Sequence, residues 1–585
     1  MSDPQLVLAA RVQAAIVAAF GAEFAATDPV IRPSQFADLQ ANVALPLSKK
    51  LGRRPRDVAE ELVAELDVEG ICAKVEVSGP GFLNLTLSDE WIARQASCLL
   101  SGEVRVGGPV TDRPLTIPVD YSAPNVAKEM HVGHLRTTVV GDAFARTAEF
   151  RGHDVIRQNH IGDWGTPFGM LIEHLLEIGE EEAQRELTDD PNAFYQAARA
   201  KFEASEKGEG HGDFATRARR RVVSLQSGDA ETLAIWRRLV DLSKLYFNKI
   251  YSELGVTLTD ADLAGESKYN DMLADVCDEL QEKGLAVIDD GALCVFLEGY
   301  TGREGKPLPL IIRKSDGGYG YATTDLAALR YRALTLRADR VVYVVGIPQS
   351  LHFKMIYETA RKAGWLEHTE PFHAGIGNVL GTDGRILRTR SGKPIRLASL
   401  IDEAVERAEK IIEDRGYDAG TRAEIARAVG VGAIKYADLS VARDSEYVFD
   451  LDRMVALNGN TGPYLQYAAA RIRSIFRMAG ADPGAAAGPI RITHPAERAL
   501  VLKLLSFGAA IDALIEDVTP HKLASYLYEV ADALTGFYEN CPVVKGPDGP
   551  VPEEVRAPRL AICALALNTL VTGLGLLGIG VPERM

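Results

Sequence analysis

The spacing of apolar positions divides the chain into three stretches. Residues 1 to about 110 carry amphipathic helical patterns around 5–22 and 54–66, then alternating strand patterns at Ala73-Lys-Val-Glu-Val and Phe82-Leu-Asn-Leu-Thr-Leu, with Ser78-Gly-Pro-Gly between them. This predicts a small α+β unit. From about 115 to 400, short apolar runs alternate with longer helical patterns. Leu115–Tyr121, Val155–Gln158, Ala292–Leu297 and Arg340–Val345 are the strand candidates, and the helices between them predict βαβ units on a parallel, Rossmann-like sheet. Pro118 sits badly in a central strand, because it has no N–H to give the ladder. Gly179–Asp229 is charged, helical in pattern and poor in strand signal, which marks a helical insertion over about 179–230. After about 420 only helical periodicity remains, broken at Asn458–Pro463 and Gly480–Gly488, so an all-α bundle is expected. The expected domains are 1–112, 113–420 and 421–585, with Gly102–Arg113 as a glycine-rich linker.

Bulk properties narrow this picture. A chain of 585 residues is too long for one core. The six cysteines are scattered with no C-x-x-C pair, which argues against structural zinc and a disulfide framework and for reduced core thiols. No N-terminal apolar run has signal-peptide flanks, so the expected compartment is the cytoplasm. Leu560–Gly580 comes nearest to a membrane span, but its glycines, threonines and Asn568 fit a buried terminal helix. The net charge of −16 disfavours nucleic acid in the far field only, since local basic faces can still grip a polyanion. Two such faces stand out: Arg217, Arg219, Arg220 and Arg221, for which a solvated helix face is an equal reading, and Arg471, Arg473 and Arg477.

Chemistry concentrates in Asn125-Val-Ala-Lys-Glu-Met-His-Val-Gly-His134. Zinc histidines on a helix usually stand at i and i+4 with a glutamate between; here the spacing is i, i+3 around Gly133, which disfavours a metal. Core histidines are a second reading. A third uses the position: a strand ending near Tyr121 and a helix opening near Gly133 aim free N–H groups and a positive dipole end above the sheet, where imidazoles can donate to phosphate. Rival phosphate loops fail. The lysines of Gly302-Arg-Glu-Gly-Lys306 and Ser391-Gly-Lys393 precede proline, and Gly375-Ile-Gly-Asn-Val-Leu-Gly381 is not a dinucleotide fingerprint.

His131-Val-Gly-His134 resembles the H-I-G-H signature of class I aminoacyl-tRNA synthetases, and the surrounding "SAPNVAKEMHVGHLRTTVVGDAFAR" is similar to the bacterial arginyl-tRNA synthetase form. The resemblance extends through "NHIGDWGTPFG", "SDGGYGYATTDLAALRYR", "NTGPYLQYAAARI", "GIGVPERM" and, near the start, "GPGFLNLTL", covering essentially the whole chain. It implies two in-line steps, arginyl-adenylate formation from arginine and Mg²⁺-ATP and then transfer to the terminal ribose of tRNA, with activation itself tRNA-dependent. It places His131, His134 and Gly133 at the phosphates and Gly377 and Val379 at adenine. An arginine side chain is a planar cation that calls for carboxylates. The resemblance supplies Glu266 and Asp325 for the guanidinium, Tyr321 packed beside it, and Asn125 and Gln349 for the α-amino and carboxylate end.

One signature departs from the family. Where K-M-S-K-S is expected the chain reads Leu387-Arg-Thr-Arg-Ser391, so Arg390 and Lys128 become the candidates for stabilising the leaving pyrophosphate. The resemblance also implies tRNA contacts at Tyr464, Gln466, Tyr467, Arg471 and Met585 in the terminal domain and near Asn84 in the first, although periodicity alone makes the tyrosines core residues. A monomer, no zinc and no membrane partner are expected. Two rivals remain: an H-x-G-H nucleotidyltransferase that activates a small acid without tRNA, for which the long helical terminus is superfluous, and a non-catalytic RNA-binding paralogue.

Overall fold

The computed structural model describes residues 3–585 except 127, 190, 303–304, 389–394, 486–487 and 548. The first stretch forms a four-stranded antiparallel sheet, β1 (Ile31–Pro33), β2 (Leu39–Ala41), β3 (Cys72–Ser78) and β4 (Phe82–Leu87), in the order β1-β2-β4-β3. Helices Pro4–Phe20 and Pro55–Glu65 match the sequence reading. β1 and β2 are three residues each, too short to show a period. The expected linker is packed rather than free: the buried Arg151 guanidinium donates to the carbonyls of Gly107 and Pro109 on one side and Gly508 on the other.

The second stretch is built on β5 (Thr116–Asp120) and β6 (Asp154–Gln158). Next in the chain come β7 (Ala286–Asp289), β8 (Ala292–Thr301) and β9 (Pro307–Arg313), and then β10 (Arg340–Gly346) and β11 (Glu370–Ile376). The sheet β11-β10-β5-β6 is parallel throughout. Pro118 is accommodated because the β5–β10 pairing covers only Val119 and Asp120, one residue further on. Ala292–Leu297 does not join this sheet. It lies in β8, the middle of a separate antiparallel sheet β7-β8-β9, whose strands follow one another through short local connections of the kind only antiparallel pairing allows. The proline, histidine and glycine in Glu-Pro-Phe-His-Ala-Gly-Ile hid β11 from pattern reading. Helices Glu180–Asp189, Pro191–Lys207 and Phe214–Gln226 occupy the charged stretch between β6 and β7.

Beyond residue 420 the chain is a helical bundle, with two departures from the expected loss of strands, one of them a short antiparallel pair, Lys545–Gly546 with Gly549–Pro550. β12 (Val379–Leu380) takes Tyr447–Val448, β13, as a parallel partner. Helix Glu553–Leu576 is long and apolar enough to cross a membrane, yet 72% of its most apolar window is buried inside the molecule. The final residues run back along helix Gly462–Ala479 and end with Met585 packed against Ala408, Ile412 and Ile425. Arg498 joins this bundle to the N-terminal sheet, with paired bonds to Asp38 at 2.7 and 2.8 Å and a bond to Asp89 at 2.6 Å.

Candidate active site

The histidine stretch is the N-terminus of helix Val132–Arg151. His131 is the N-cap. Its Nδ1 accepts the Gly133 N–H at 3.0 Å, while the His131 N–H donates to His134 Nδ1 at 3.1 Å, a reciprocal box built from two imidazoles. With both Nδ1 atoms accepting, the neutral rings carry their protons on Nε2 and keep that donor for a ligand. Burial pushes both rings toward neutrality. Lys128 adds to this at His131, and His134 is driven down to about 3 by burial, by His131 and by Lys128. The helix packs tightly on the strand end: a Cβ at Gly141 would lie 2.3 Å from Tyr121 Cβ.

This turn is tied to the segment 395–397, downstream of the second signature, by backbone pairing that the sequence did not disclose. Val132 N–H donates to Ile395 O and Leu397 N–H to Met130 O, His131 and Arg396 form an antiparallel bridge, and Arg396 pairs with Glu129 at 2.7 Å. Arg390 itself lies outside the described residues. One turn along the helix, the buried Arg136 reaches Asp438 at 3.0 Å and the carbonyls of Gly377 and Ser445 at 3.1 and 2.7 Å. Gly377 is held so close that a Cβ there would meet Ser445 O at 2.5 Å, and Val379 follows in β12.

Beside the histidines lies a cluster of carboxylates. Asn125 bridges to Gly162, with its side-chain oxygen 2.6 Å from where a Gly162 Cβ would stand. Asp163 comes next. Buried, it accepts the Ser267 N–H at 2.9 Å and the Ser267 O–H at 2.6 Å, and its carboxyl is raised by that burial. Glu266, on the same turn as Ser267, is pushed up to about 8 by burial and then by the charges of Asp163 and Asp325. Asp325, in helix Tyr321–Arg330, accepts from His352 Nε2 at 2.6 Å and has His160 Nε2 at 3.9 Å. Tyr321 is exposed at the mouth of the cluster, within electrostatic reach of Glu266 and of Tyr195, and Lys128 Nζ sits 4.3 Å above the Tyr195 ring. Gln349 is exposed on the turn just before the His352 helix. Asn125, Lys128, His131, His134, Glu266, Tyr321 and Asp325 thus line one region. Asp163, His160 and His352 belong to it as well; the "NHIGDWG" stretch was the available signal for the first two.

The residues expected at tRNA divide differently. Gln466 is fully buried, and its amide donates to Ala428 O and Gly580 O at 2.8 and 2.7 Å. Asn84 is 7% exposed and is spent on Gln40 and Ser78. Neither side chain is presented to a ligand, because both are buried and their amide nitrogens bond inside the fold. Tyr464 leans on Tyr528 and bonds Thr535, Arg471 stacks 3.5 Å over Tyr538, and Tyr467 is half-buried on the same helix. The first basic face is largely neutralised: Arg217 pairs with Glu173, Glu177 and Asp213, Arg219 with Glu206, and Arg221 with Glu173. Among the described residues no group of three or more His, Cys, Asp or Glu side chains is arranged to hold a metal ion.

The model of the tRNA synthetases class I (R) catalytic domain matches residues 96–451. The chain belongs to the arginyl-tRNA synthetase family. The family's N-terminal domain model matches 6–87, and the DALR anticodon binding domain model matches 465–585. The chain is 67% identical to an arginine–tRNA ligase of Thermobifida fusca over the full length of both, and 48% identical to one of Streptomyces avermitilis across 96% of each. Among solved structures, an arginyl-tRNA synthetase of Plasmodium falciparum superposes with a TM-score of 0.83 at 30% identity, covering 99% of both chains. The Thermus thermophilus arginyl-tRNA synthetase shares the fold, with a TM-score of 0.80 at 24% identity.

Proposed function

We propose that this synthetase ligates arginine to its tRNA in two steps, with the residues above in the roles their chemistry suits. In the first, an arginine carboxylate oxygen attacks the α-phosphorus of ATP and the bond to the bridging oxygen of pyrophosphate breaks, leaving arginyl-adenylate. In the second, a hydroxyl of the terminal tRNA ribose attacks the activated carbonyl, giving up its proton as AMP departs. Magnesium enters with the nucleotide phosphates as part of the substrate.

Glu266 and Asp325 receive the guanidinium while Tyr321 covers it, and Asn125 and Gln349 hold the α-amino and carboxylate end. His131 and His134 offer Nε2–H donors to the phosphates beside a helix N-terminus, which stabilises charge as it develops. Lys128 and Arg390 share the pyrophosphate charge, and the backbone of Gly377–Val379 meets adenine. Tyr464, Tyr467 and Arg471 contact the anticodon arm, with Gln466 and Met585 shaping that surface from beneath. The N-terminal sheet around Asn84 serves the tRNA elbow. The enzyme acts as a cytoplasmic monomer.

The observation that carries this reading is the carboxylate cluster built for a planar cation beside the imidazole-capped helix. Its test is charging of total tRNA with each of the twenty amino acids, alongside pyrophosphate exchange with and without tRNA. Charging by arginine alone is expected, with exchange dependent on tRNA; adenylate formation without charging would favour the tRNA-independent ligase.

A further inference from the structure

We propose that Asp163, which no role above assigns, is the positioning residue of the cation pocket: it clasps the turn that carries Glu266 on both sides and holds a third negative charge beneath the two that face the guanidinium. This rests on Glu266 and Asp325 being the arginine pocket.

The clasp is geometric. On one flank of Glu266, Ser267 gives Asp163 both its N–H and its hydroxyl. On the other, Gly265 lies so near that a Cβ would stand 2.6 Å from every atom of the Asp163 carboxyl group. Asp163 is itself immobilised from a different element: Trp236, on helix Ala230–Leu254, donates to its backbone carbonyl at 2.7 Å. The Glu266 N–H donates to Ile161 O, two residues before Asp163. Glu266 can therefore change height over the sheet only if Asp163 releases it.

The charge argument is separate. The groups around Glu266 are His160 and Asp163 on the preceding loop, Tyr321 and Asp325 on helix Tyr321–Arg330, and His352 behind Asp325. Lys268, on the same turn, is turned away over the Tyr331 ring at 4.9 Å. No described lysine or arginine forms an ion pair with any of the three carboxyl groups. An empty pocket with three close acids retains a proton, held on Glu266 up to about pH 8. A guanidinium favours the ionised pocket, so its arrival expels that proton. Arginine affinity should therefore rise with pH, by about tenfold between pH 7 and 9 for one linked site of that midpoint.

The test is calorimetry of L-arginine binding to the full chain in two buffers of different ionisation enthalpy, with arginine and ATP KM measured across pH. The wild-type chain should release close to one proton at pH 7, about 0.9 by the same linkage, and almost none well above pH 9. Asp163→Asn keeps the shape but removes the charge. It should lower the Glu266 midpoint, so that fewer protons are released at pH 7 and the pH profile moves to lower pH, and raise the arginine KM at pH 9 by about tenfold, as expected for a weakened charge partner, with the ATP KM unchanged. Absence of proton release in the wild type, or an Asp163→Asn chain that keeps both release and arginine affinity, overturns the proposal. So does a variant that loses affinity while its pH profile stays in place, since that is a scaffold effect. If Asp163→Asn does not fold, Ser267→Ala carries the test: a raised arginine KM with a displaced midpoint supports the clasp, and unchanged values refute it. Asp325→Ala separates the levels. Normal arginine binding by that variant removes the pocket reading itself, whereas loss of binding there with a failed Asp163 test removes only the clasp.

Discussion

At the scale of single residues the carboxylate cluster disfavours the charge of its own Glu266. Glu266 has a folded-state value of about 8 against an ordinary 4.5, so between those limits the native chain holds a proton that the unfolded chain has lost. Its contribution to stability is therefore complete below about pH 4.5 and is lost as pH rises toward 8, on the order of a few kcal/mol in all. Melts of the ligand-free chain should show Glu266→Gln gaining on the wild type steadily from pH 5 to pH 9; parallel curves would mean the carboxyl titrates normally. Asp325→Ala should weaken arginine by about 2–5 kcal/mol, the range for a desolvated charge partner, while ATP binding is largely kept. Equal loss of both ligands would refute its assignment to arginine. The acids themselves were legible by likeness of "YATTD" and "AGES" to the family. Their mutual repulsion was not, because Asp163 and Glu266 are 103 positions apart in the chain and meet only in the fold.

At the scale of elements the decisive feature is the start of helix Val132–Arg151, where one pair of rings both caps the helix and keeps donors for a ligand. The two duties are separable. Losing the cap in His131→Ala should destabilise the chain by about 0.5–2 kcal/mol, and losing the Nε2 donor should slow adenylate formation by about 10²-fold. His131→Asn restores an N-cap acceptor without the imidazole, so thermal stability should return while the rate does not. Recovery of both would show the ring to be a cap only. The sequence marked this helix entry well, since strand, loop, glycine and histidines are local. The pairing of Met130–Val132 with Ile395–Leu397 was out of reach, because a three-residue bridge has no periodicity of its own. For the same reason β8 was read into the wrong sheet: an apolar run states that it is buried, and says nothing about its partners.

At the scale of the whole molecule three units share one continuous apolar core, and a few charged anchors cross the joins between them. Arg498 bonds Asp38 and Asp89 across the join between the bundle and the N-terminal sheet, and is itself only 24% exposed. Arg498→Ala should cost about 1–3 kcal/mol at this partly buried pair. Limited proteolysis should then release the N-terminal unit, and the tRNA KM should rise while arginine and ATP constants hold. Unchanged proteolysis would show that apolar contacts alone secure the join. The end of the chain is anchored similarly, with Arg473 donating to Pro582 O at 2.7 Å and Met585 seated against the helix that follows the second signature.

By itself the sequence determined what is local: the helical and strand periods, the histidine turn with its glycine, and the motifs that resemble the family. Those signals survive without tertiary context because they depend on side chains within one or two turns of each other. Only the tertiary structure decided which acids share a pocket, which residues keep a free face and which spend it inside. Gln466 and Asn84, expected at tRNA, are buried, while Asp163, which no motif singled out, packs against the turn of Glu266. Burial and charge coupling arise from neighbours brought together by packing, and a linear chain does not state who those neighbours will be.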